Sequence, residues 1–440
     1  MTGALPIRGV IEGFYGTPWT HAQRLDMIDF VASIGMNTFV YAPKDDALLR
    51  RDWRMPYSGP ALDALAALIE RCRSGGVGFV FALSPGLSMR YSEPADLDAL
   101  LTKYRQVLEL GATGIALLLD DIPPRLQHAG DVRAFPSLVA AQVVLVGRVH
   151  DALPSVPLMV APTRYWGKGD EPEIVELGRG LDPAIDIFWT GRAICSPELE
   201  EADARGFLAA TGHAPLYWDN FPVNDVAMTG ELHIGPYLGR DPGLAGIARG
   251  VIANAMPLAE SSKVGLSSVA EYANDPAGFD PEAAWERALE RVAGADLDAV
   301  RTFADAFRGS ALCTDDSPRL ADALARFAFE VEFGDRAGAL EALGRRGARP
   351  VGGRRAHEGH RQCRARAGGR AVDRAVRPRG RGAGPLRRGA GVLTCGTGGS
   401  RARHGAPART AIASAAGPRG PRGHVPVRHG ARVRLGSNAG

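Results

Sequence analysis

Residues 120 and 121 are both aspartate, and they stand where a strand has to end. The apolar run Gly114-Ile-Ala-Leu-Leu-Leu119 reads as a buried strand, and Ile122-Pro123-Pro124 breaks it directly after the pair. Adjacent carboxylates repel, which favours keeping one of them protonated. A carboxylic acid that stays protonated near neutral pH can donate a proton to a leaving group. In isolation the pair reads first as a solvated acidic turn. Its company elsewhere in the chain decides between the two.

That company depends on the elements around it. From residue 7 onward, short β-branched or apolar runs alternate with amphipathic stretches. The strand candidates are 7–12, 37–43, 78–84, 114–119, 157–162, 185–190, 215–219 and 249–253. Helices are expected near 20–34, 60–74, 96–110, 136–152, 171–179, 196–210, 241–247 and 259–273, as the three-and-four spacing of Ala61, Leu62, Leu65, Leu68 and Ile69 illustrates. Eight β-α units in about 270 residues are the count and size of a (β/α)8 TIM barrel. A doubly wound sheet would carry a phosphate-binding glycine loop after its first strand, and Glu12-Gly-Phe-Tyr-Gly16 lacks that fingerprint. The predicted fold class is therefore α/β: a catalytic (β/α)8 TIM barrel over residues 1–275, followed by a helical bundle over 276–344.

In such a barrel the active site lies at the C-terminal ends of the strands. The residues there are polar and aromatic: Gly13, Phe14 and Tyr15; Lys44, Asp45 and Asp46; Asp120 and Asp121. Thr163, Arg164, Tyr165 and Trp166 follow, then Trp189-Thr-Gly191, Trp218-Asp-Asn220, Asp225 and Asn254. Each alone has an ordinary structural reading, as a surface ion pair, rim packing or a cap. On one face they form a pocket suited to a polyhydroxylated ligand, with aromatic planes for C–H faces and Asp, Asn and Lys for hydroxyls.

Composition divides the chain in two. Residues 345–440 hold 23 Arg against two acids, Glu358 and Asp373, whereas the first 344 residues carry 29 Lys and Arg against 47 Asp and Glu. The Arg/Gly/Ala/Pro-rich stretch has no aromatic residue apart from histidine and is expected to remain without a fold. A nucleic-acid-binding arm and a polybasic surface anchor are alternatives for it. With four Lys against 48 Arg in the whole chain, we read it as the frameshifted end of a GC-rich gene and assign it no function. No run of 18 apolar residues suggests a membrane span. Met1–Pro6 is too short for a signal peptide. Five cysteines at 72, 195, 313, 363 and 395, without a CxxC, fit reduced thiols in a cytoplasm.

The segments Arg8-Gly-Val-Ile-Glu-Gly-Phe-Tyr-Gly-Thr-Pro-Trp19, Tyr41-Ala-Pro-Lys-Asp-Asp46, Leu118-Leu-Asp-Asp-Ile122, Ala161-Pro-Thr-Arg-Tyr165, Phe188-Trp-Thr-Gly191 and Tyr217-Trp-Asp-Asn-Phe-Pro-Val-Asn-Asp225 resemble family 84 glycoside hydrolases. That family comprises β-N-acetylglucosaminidases, among them the O-GlcNAcases and bacterial enzymes labelled hyaluronidases. The likeness runs in order over residues 7–273 and, less specifically, to 344. It implies a retaining exo-β-N-acetylglucosaminidase that uses the substrate's own acetamido oxygen as nucleophile and passes through an oxazoline, an exception to the enzymic carboxylate nucleophile. By resemblance, Asp121 is the general acid and later the base, and Asp120 holds the acetamido N–H. Gly13 and Lys44 meet sugar hydroxyls, Asp225 takes the 4- and 6-hydroxyls, and Asn254 binds there too. Tyr165, Trp218 and Asn220 shape the acetamido pocket, with Asp219 beside them. The expected partners are β-linked N-acetylglucosamine glycosides or glycoconjugates, with no cofactor, metal, nucleic acid or membrane, and a homodimer is allowed. The chain departs from the family in starting at the first strand and in its C-terminal stretch.

Two other functions compete. A metal-dependent barrel hydrolase would want paired histidines at strand ends, and no HxH follows the first strand. A non-catalytic amino-sugar-binding protein on the same barrel would be expected to have lost Asp120 or Asp121, and both are present.

Overall fold

Eight parallel strands close in chain order into a barrel in the computed structural model. They are β1 (Ile7–Ile11), β2 (Thr38–Tyr41), β3 (Gly78–Leu83), β4 (Gly114–Leu118), β5 (Leu158–Ala161), β6 (Asp186–Trp189), β7 (Leu216–Asp219) and β8 (Gly250–Asn254). The first strand closes the ring against the last, Ile7 opposite Gly250 and Ile11 opposite Asn254. The structure describes residues 3–313 and 317–340, apart from 336 and 339. The tail expected at 345–440 lies outside the described residues.

Helices α1 (His21–Ser33), α2 (Gly59–Ser74), α3 (Pro94–Glu109), α4 (Ala129–Ala134), α5 (Leu138–Ala152), α6 (Pro172–Gly180) and α7 (Glu201–Thr211) lie in the connections, and α8 (Ala259–Asn274) follows β8. Their starts are written locally. Thr20 and Gln23 form a reciprocal capping box at α1, and the Ser137 hydroxyl accepts from the Ala140 N–H at α5. Pro opens α2, α3 and α6, where its missing N–H would have had no intrahelical partner. After the barrel come α9 (Pro281–Ala293), α10 (Leu297–Ala306) and α11 (Pro318–Phe333). Trp285, Ala288, Leu289 and Ala304 gather there with Ile234, Met256 and Val264 in a separate apolar cluster.

Two expectations are corrected. The helix expected at 241–247 is a short 3-10 turn, Pro242–Gly246, because Pro242, Gly243 and Gly246 leave too few helix-forming residues for an α-helix. The helix expected from 196 starts only at Glu201, since Leu199 first pairs with Arg240 in an isolated bridge. A further short helix, α4, lies between Pro124 and α5.

Two apolar shells share each strand. Val10, Phe79, Phe81, Leu83, Ile115, Leu117 and Tyr217 pack outward among the helices. Ile11, Val40, Ala42, Val80, Ala82, Ala116, Leu118, Met159, Ala161, Phe188, Leu216, Trp218 and Ile252 fill the interior. Small alanines among Phe188, Met159 and Trp218 in that cluster leave room for the large interior side chains. Among the described residues, no helix is long and apolar enough to cross a membrane.

Candidate active site

Strand parity decides which side chains reach the mouth of the barrel. Extended backbone turns successive side chains to opposite faces, and the interior cluster marks one parity on every strand. Stepping by two past the interior residues leads from Ile11 to Gly13, from Ala42 to Lys44, from Leu118 to Asp120, from Trp218 to Asn220 and from Ile252 to Asn254. The alternation that fills the core therefore also delivers these five residues to the C-terminal face.

Asp121 departs from that alternation. Its φ is +53°, in the left-handed region that Asp and Asn tolerate because their short polar side chains bond locally. There its exposed carboxylate accepts from two phenols, Tyr15 at 2.7 Å to Oδ2 and Tyr165 at 2.9 Å to Oδ1. Both phenols are pushed up from the ordinary tyrosine value, first by burial and then by the charge on Asp121. They therefore stay protonated, as donors, throughout the neutral range.

Asp120 is held differently. Its Oδ2 lies 2.6 Å from Lys44 Nζ, and the two side chains are only 9% and 3% exposed. The ammonium also faces the rings of Trp218 and Tyr15, at 5.5 and 5.7 Å from their centroids. Asp120 Oδ1 is buried and accepts no hydrogen bond from any described residue. A buried carboxylate oxygen without a donor is costly in an isolated protein and marks a place for an incoming N–H or O–H.

A polar network fixes the opposite wall. Asn254 Oδ1 accepts from the Gly13 N–H at 3.2 Å, and Asn254 Nδ2 donates to Asn220 Oδ1 at 2.9 Å. Asn220 Oδ1 also accepts from Trp218 Nε1 at 3.0 Å, while its Nδ2 donates to the Ile194 carbonyl. Position 13 has to be glycine: a Cβ there would stand 2.6 Å from Trp218 Cζ2. Phe188 meets the Trp218 ring edge-on, at 5.4 Å between centroids, so the indole forms a rigid apolar floor. Asp225 Oδ2 accepts the Tyr15 N–H at 2.7 Å. Burial raises the Asp225 carboxyl above its ordinary value, and the charge of Asp121 adds to the rise.

Asp219 is the predicted site residue that the structure keeps out of this group. It has the outward parity of β7, opposite to Trp218, and is buried against Arg240, with 2.6 Å from Oδ1 to Nη2 and 3.0 Å from Oδ2 to Nε, and against the Tyr237 hydroxyl at 2.5 Å. Those contacts hold Arg240 and Tyr237 in place. Asp219→Ala is expected to strand the buried Arg240 charge and lower unfolding stability by about 3–5 kcal/mol, read as a drop in urea midpoint, while KM of the folded protein stays near that of the parent.

Two residues given no role in the sequence reading belong to the site. Tyr15 was legible as a strand-end aromatic between Gly13 and Gly16, without its bond to Asp121. Arg50, in the loop after β2, stacks its guanidinium over the Tyr15 ring at 5.2 Å, and nothing in its local pattern announces that. The loop itself is pinned from behind. Asp46 accepts from the hydroxyls of Tyr41 and Tyr57 and from the Leu48 N–H, and Lys103 donates to the carbonyls of Leu48 and Trp53. Burial lowers the Lys103 ammonium to about 8. Among the described residues, no three His, Cys, Asp or Glu side chains are grouped to hold a metal ion.

The geometry thus combines a lysine-paired carboxylate with an open acceptor, a neighbouring carboxylate held by two phenols, an indole floor and an amide wall. The sequence model of the NAGidase family, described as beta-N-acetylglucosaminidase, matches residues 8–305. The chain is 33% identical over 271 residues to protein O-GlcNAcase of Rattus norvegicus and, equally, to that of Mus musculus; the match covers 60% of this chain and 29% of each relative. It therefore spans under a third of the length of these relatives. Among solved structures, an Asp-to-Asn mutant of the Thermobaculum terrenum O-GlcNAc hydrolase superposes with a TM-score of 0.74 at 35% identity, covering 77% of this chain and 75% of that one. The structure of CpGH84B superposes with a TM-score of 0.70 at 29% identity, covering 78% of this chain and 61% of the other.

Proposed function

The chain belongs to the β-N-acetylglucosaminidase family, glycoside hydrolase family 84, and from that premise we propose that it is a retaining exo-β-N-acetylglucosaminidase acting on terminal β-linked N-acetylglucosamine. The observation that carries the reading is the unequal environment of the two neighbouring carboxylates. Asp120 has an open, buried acceptor oxygen beside an ammonium, and Asp121 stands exposed under two phenol donors.

The roles are those the family resemblance implies, and these environments support them. Asp120 Oδ1 accepts the acetamido N–H, which orients the group and makes its carbonyl oxygen a stronger nucleophile toward the anomeric carbon. As that C–O bond forms, the glycosidic C–O bond breaks and Asp121 delivers its proton to the departing oxygen. The protonated oxazoline so formed keeps its N–H on Asp120 and is then opened by water, whose proton Asp121 takes back, so the acetamido group is restored and the anomeric configuration is retained. Lys44 holds Asp120 in place and offers its remaining N–H groups to a sugar hydroxyl. Tyr165, Trp218 and Asn220 enclose the acetamido group, Asn254 and Gly13 line the opposite side, and Asp225 reads the 4- and 6-hydroxyls. Preference for N-acetylglucosamine over N-acetylgalactosamine then rests on the 4-hydroxyl contact at Asp225.

The test is hydrolysis of 4-nitrophenyl β-N-acetylglucosaminide against the matching β-glucoside, which lacks the acetamido group. The reading requires turnover of the first and none of the second, and a rate that falls when the acetyl group is replaced by trifluoroacetyl. Equal turnover of both sugars would overturn substrate assistance. Sugar binding without turnover would make the chain an amino-sugar-binding protein.

A further inference from the structure

We infer that Tyr15 is a positioning residue that couples recognition of the sugar at Asp225 to proton delivery at Asp121. The inference rests on the function proposed above and concerns how that site is wired. Tyr15 bonds two carboxylates from different strand ends. Its backbone N–H donates to Asp225 Oδ2 at 2.7 Å, and its hydroxyl donates to Asp121 Oδ2 at 2.7 Å. Among the described residues no other makes hydrogen bonds to both. Tyr165, the second phenol on Asp121, bonds Oδ1, and its backbone carbonyl accepts from the Thr190 N–H.

Two cations lie over the ring of Tyr15, Lys44 Nζ at 5.7 Å and the Arg50 guanidinium at 5.2 Å from its centroid. The short loop that carries it runs from Gly13, locked against Trp218, to Gly16 with φ of +109°. A shift of the Tyr15 backbone toward Asp225 therefore carries the hydroxyl with it.

The chemistry gives this coupling a direction. Asp121 begins as a carboxylic acid and ends the first step as a carboxylate, so a hydroxyl donating to it is stronger in the transition state than before it. The hydroxyl transfers no proton and forms no covalent bond. Tyr15 acts through Asp121, and the dependence is greatest where protonation of the leaving group is most needed.

The experiment measures kcat/KM for a series of aryl β-N-acetylglucosaminides running from phenyl to 2,4-dinitrophenyl, with the parent chain, Tyr15→Phe and Tyr165→Phe. For Tyr15→Phe a loss of about 10–100-fold is expected at the phenyl end, the weight of one hydrogen bond to a charged group, and under about 3-fold at the dinitrophenyl end. A uniform loss across the series would mean a merely structural role and would overturn the inference. The coupling to Asp225 is read with 4-deoxy analogues: removing the 4-hydroxyl should steepen the leaving-group dependence in the parent and in Tyr165→Phe, and add nothing in Tyr15→Phe. Should Tyr15→Phe not fold, the 4-deoxy series in the parent decides alone, an unchanged slope overturning the coupling. A parent that turns over none of the series overturns the proposed function as well, whereas turnover with parallel slopes overturns only the wiring.

Discussion

Asp121→Asn is expected to lower kcat/KM toward a phenyl β-N-acetylglucosaminide by about 10²–10⁴-fold, the usual worth of a positioned general acid, and to lower it far less toward a dinitrophenyl one. The leaving group of the second substrate departs as a stable phenolate and needs no proton. Asparagine is the right replacement because of the backbone. At φ of +53° it remains tolerated, whereas alanine adds roughly 1–2 kcal/mol of strain that would confuse lost chemistry with lost stability. The amide still offers one oxygen to the phenols of Tyr15 and Tyr165, which leaves one of them without an acceptor. Asp121→Ala should accordingly show the same leaving-group pattern with a lower urea midpoint. Equal losses for both leaving groups in Asp121→Asn would remove Asp121 from the role of proton donor.

How much of this site is readable from the chain depends on parity. The eight strands are short apolar runs with polar stops, and all eight stand where the alternation of runs and amphipathic stretches puts them. Gly13, Lys44, Asp120, Asn220 and Asn254 continue the interior register of their strands, so a period-two count suffices to aim them at the pocket. The same count sends Asp219 outward, to Arg240 and Tyr237. Asp121 is the opposite case. Period two would turn it away, and only the left-handed backbone at that one residue brings it to the two phenols.

The parts that were not readable depend on distant partners. Arg50 reaches Tyr15 across two loops, and the bond from Tyr15 to Asp121 joins residues 106 apart in sequence. Neither leaves a local pattern in composition or spacing. The delayed start of α7 likewise follows from the bridge between Leu199 and Arg240, a long-range contact that helical spacing does not announce.

The contrast with Asp121 makes Asp120→Asn the second decisive variant. Here kcat/KM should fall by about 10²–10³-fold, the scale for removing one preorganised electrostatic contact, and by the same factor for phenyl and dinitrophenyl leaving groups. The lost term is stabilisation of the acetamido group as positive charge develops on it, and every substrate of the series needs that equally. The amide can still meet the acetamido N–H or the Lys44 ammonium, but it supplies no charge to either. Lys44, 3% exposed and 2.6 Å from Asp120, is then a buried cation without its counter-ion, and unfolding stability should drop by about 3 kcal/mol. Replacing Lys44 by Met in the same chain removes the stranded charge, so the double variant should regain stability over Asp120→Asn while remaining inactive. If Asp120→Asn instead showed the steep leaving-group dependence expected of Asp121→Asn, the two carboxylates would have exchanged roles. The open oxygen of Asp120 would then belong to the leaving group rather than to the acetamido N–H.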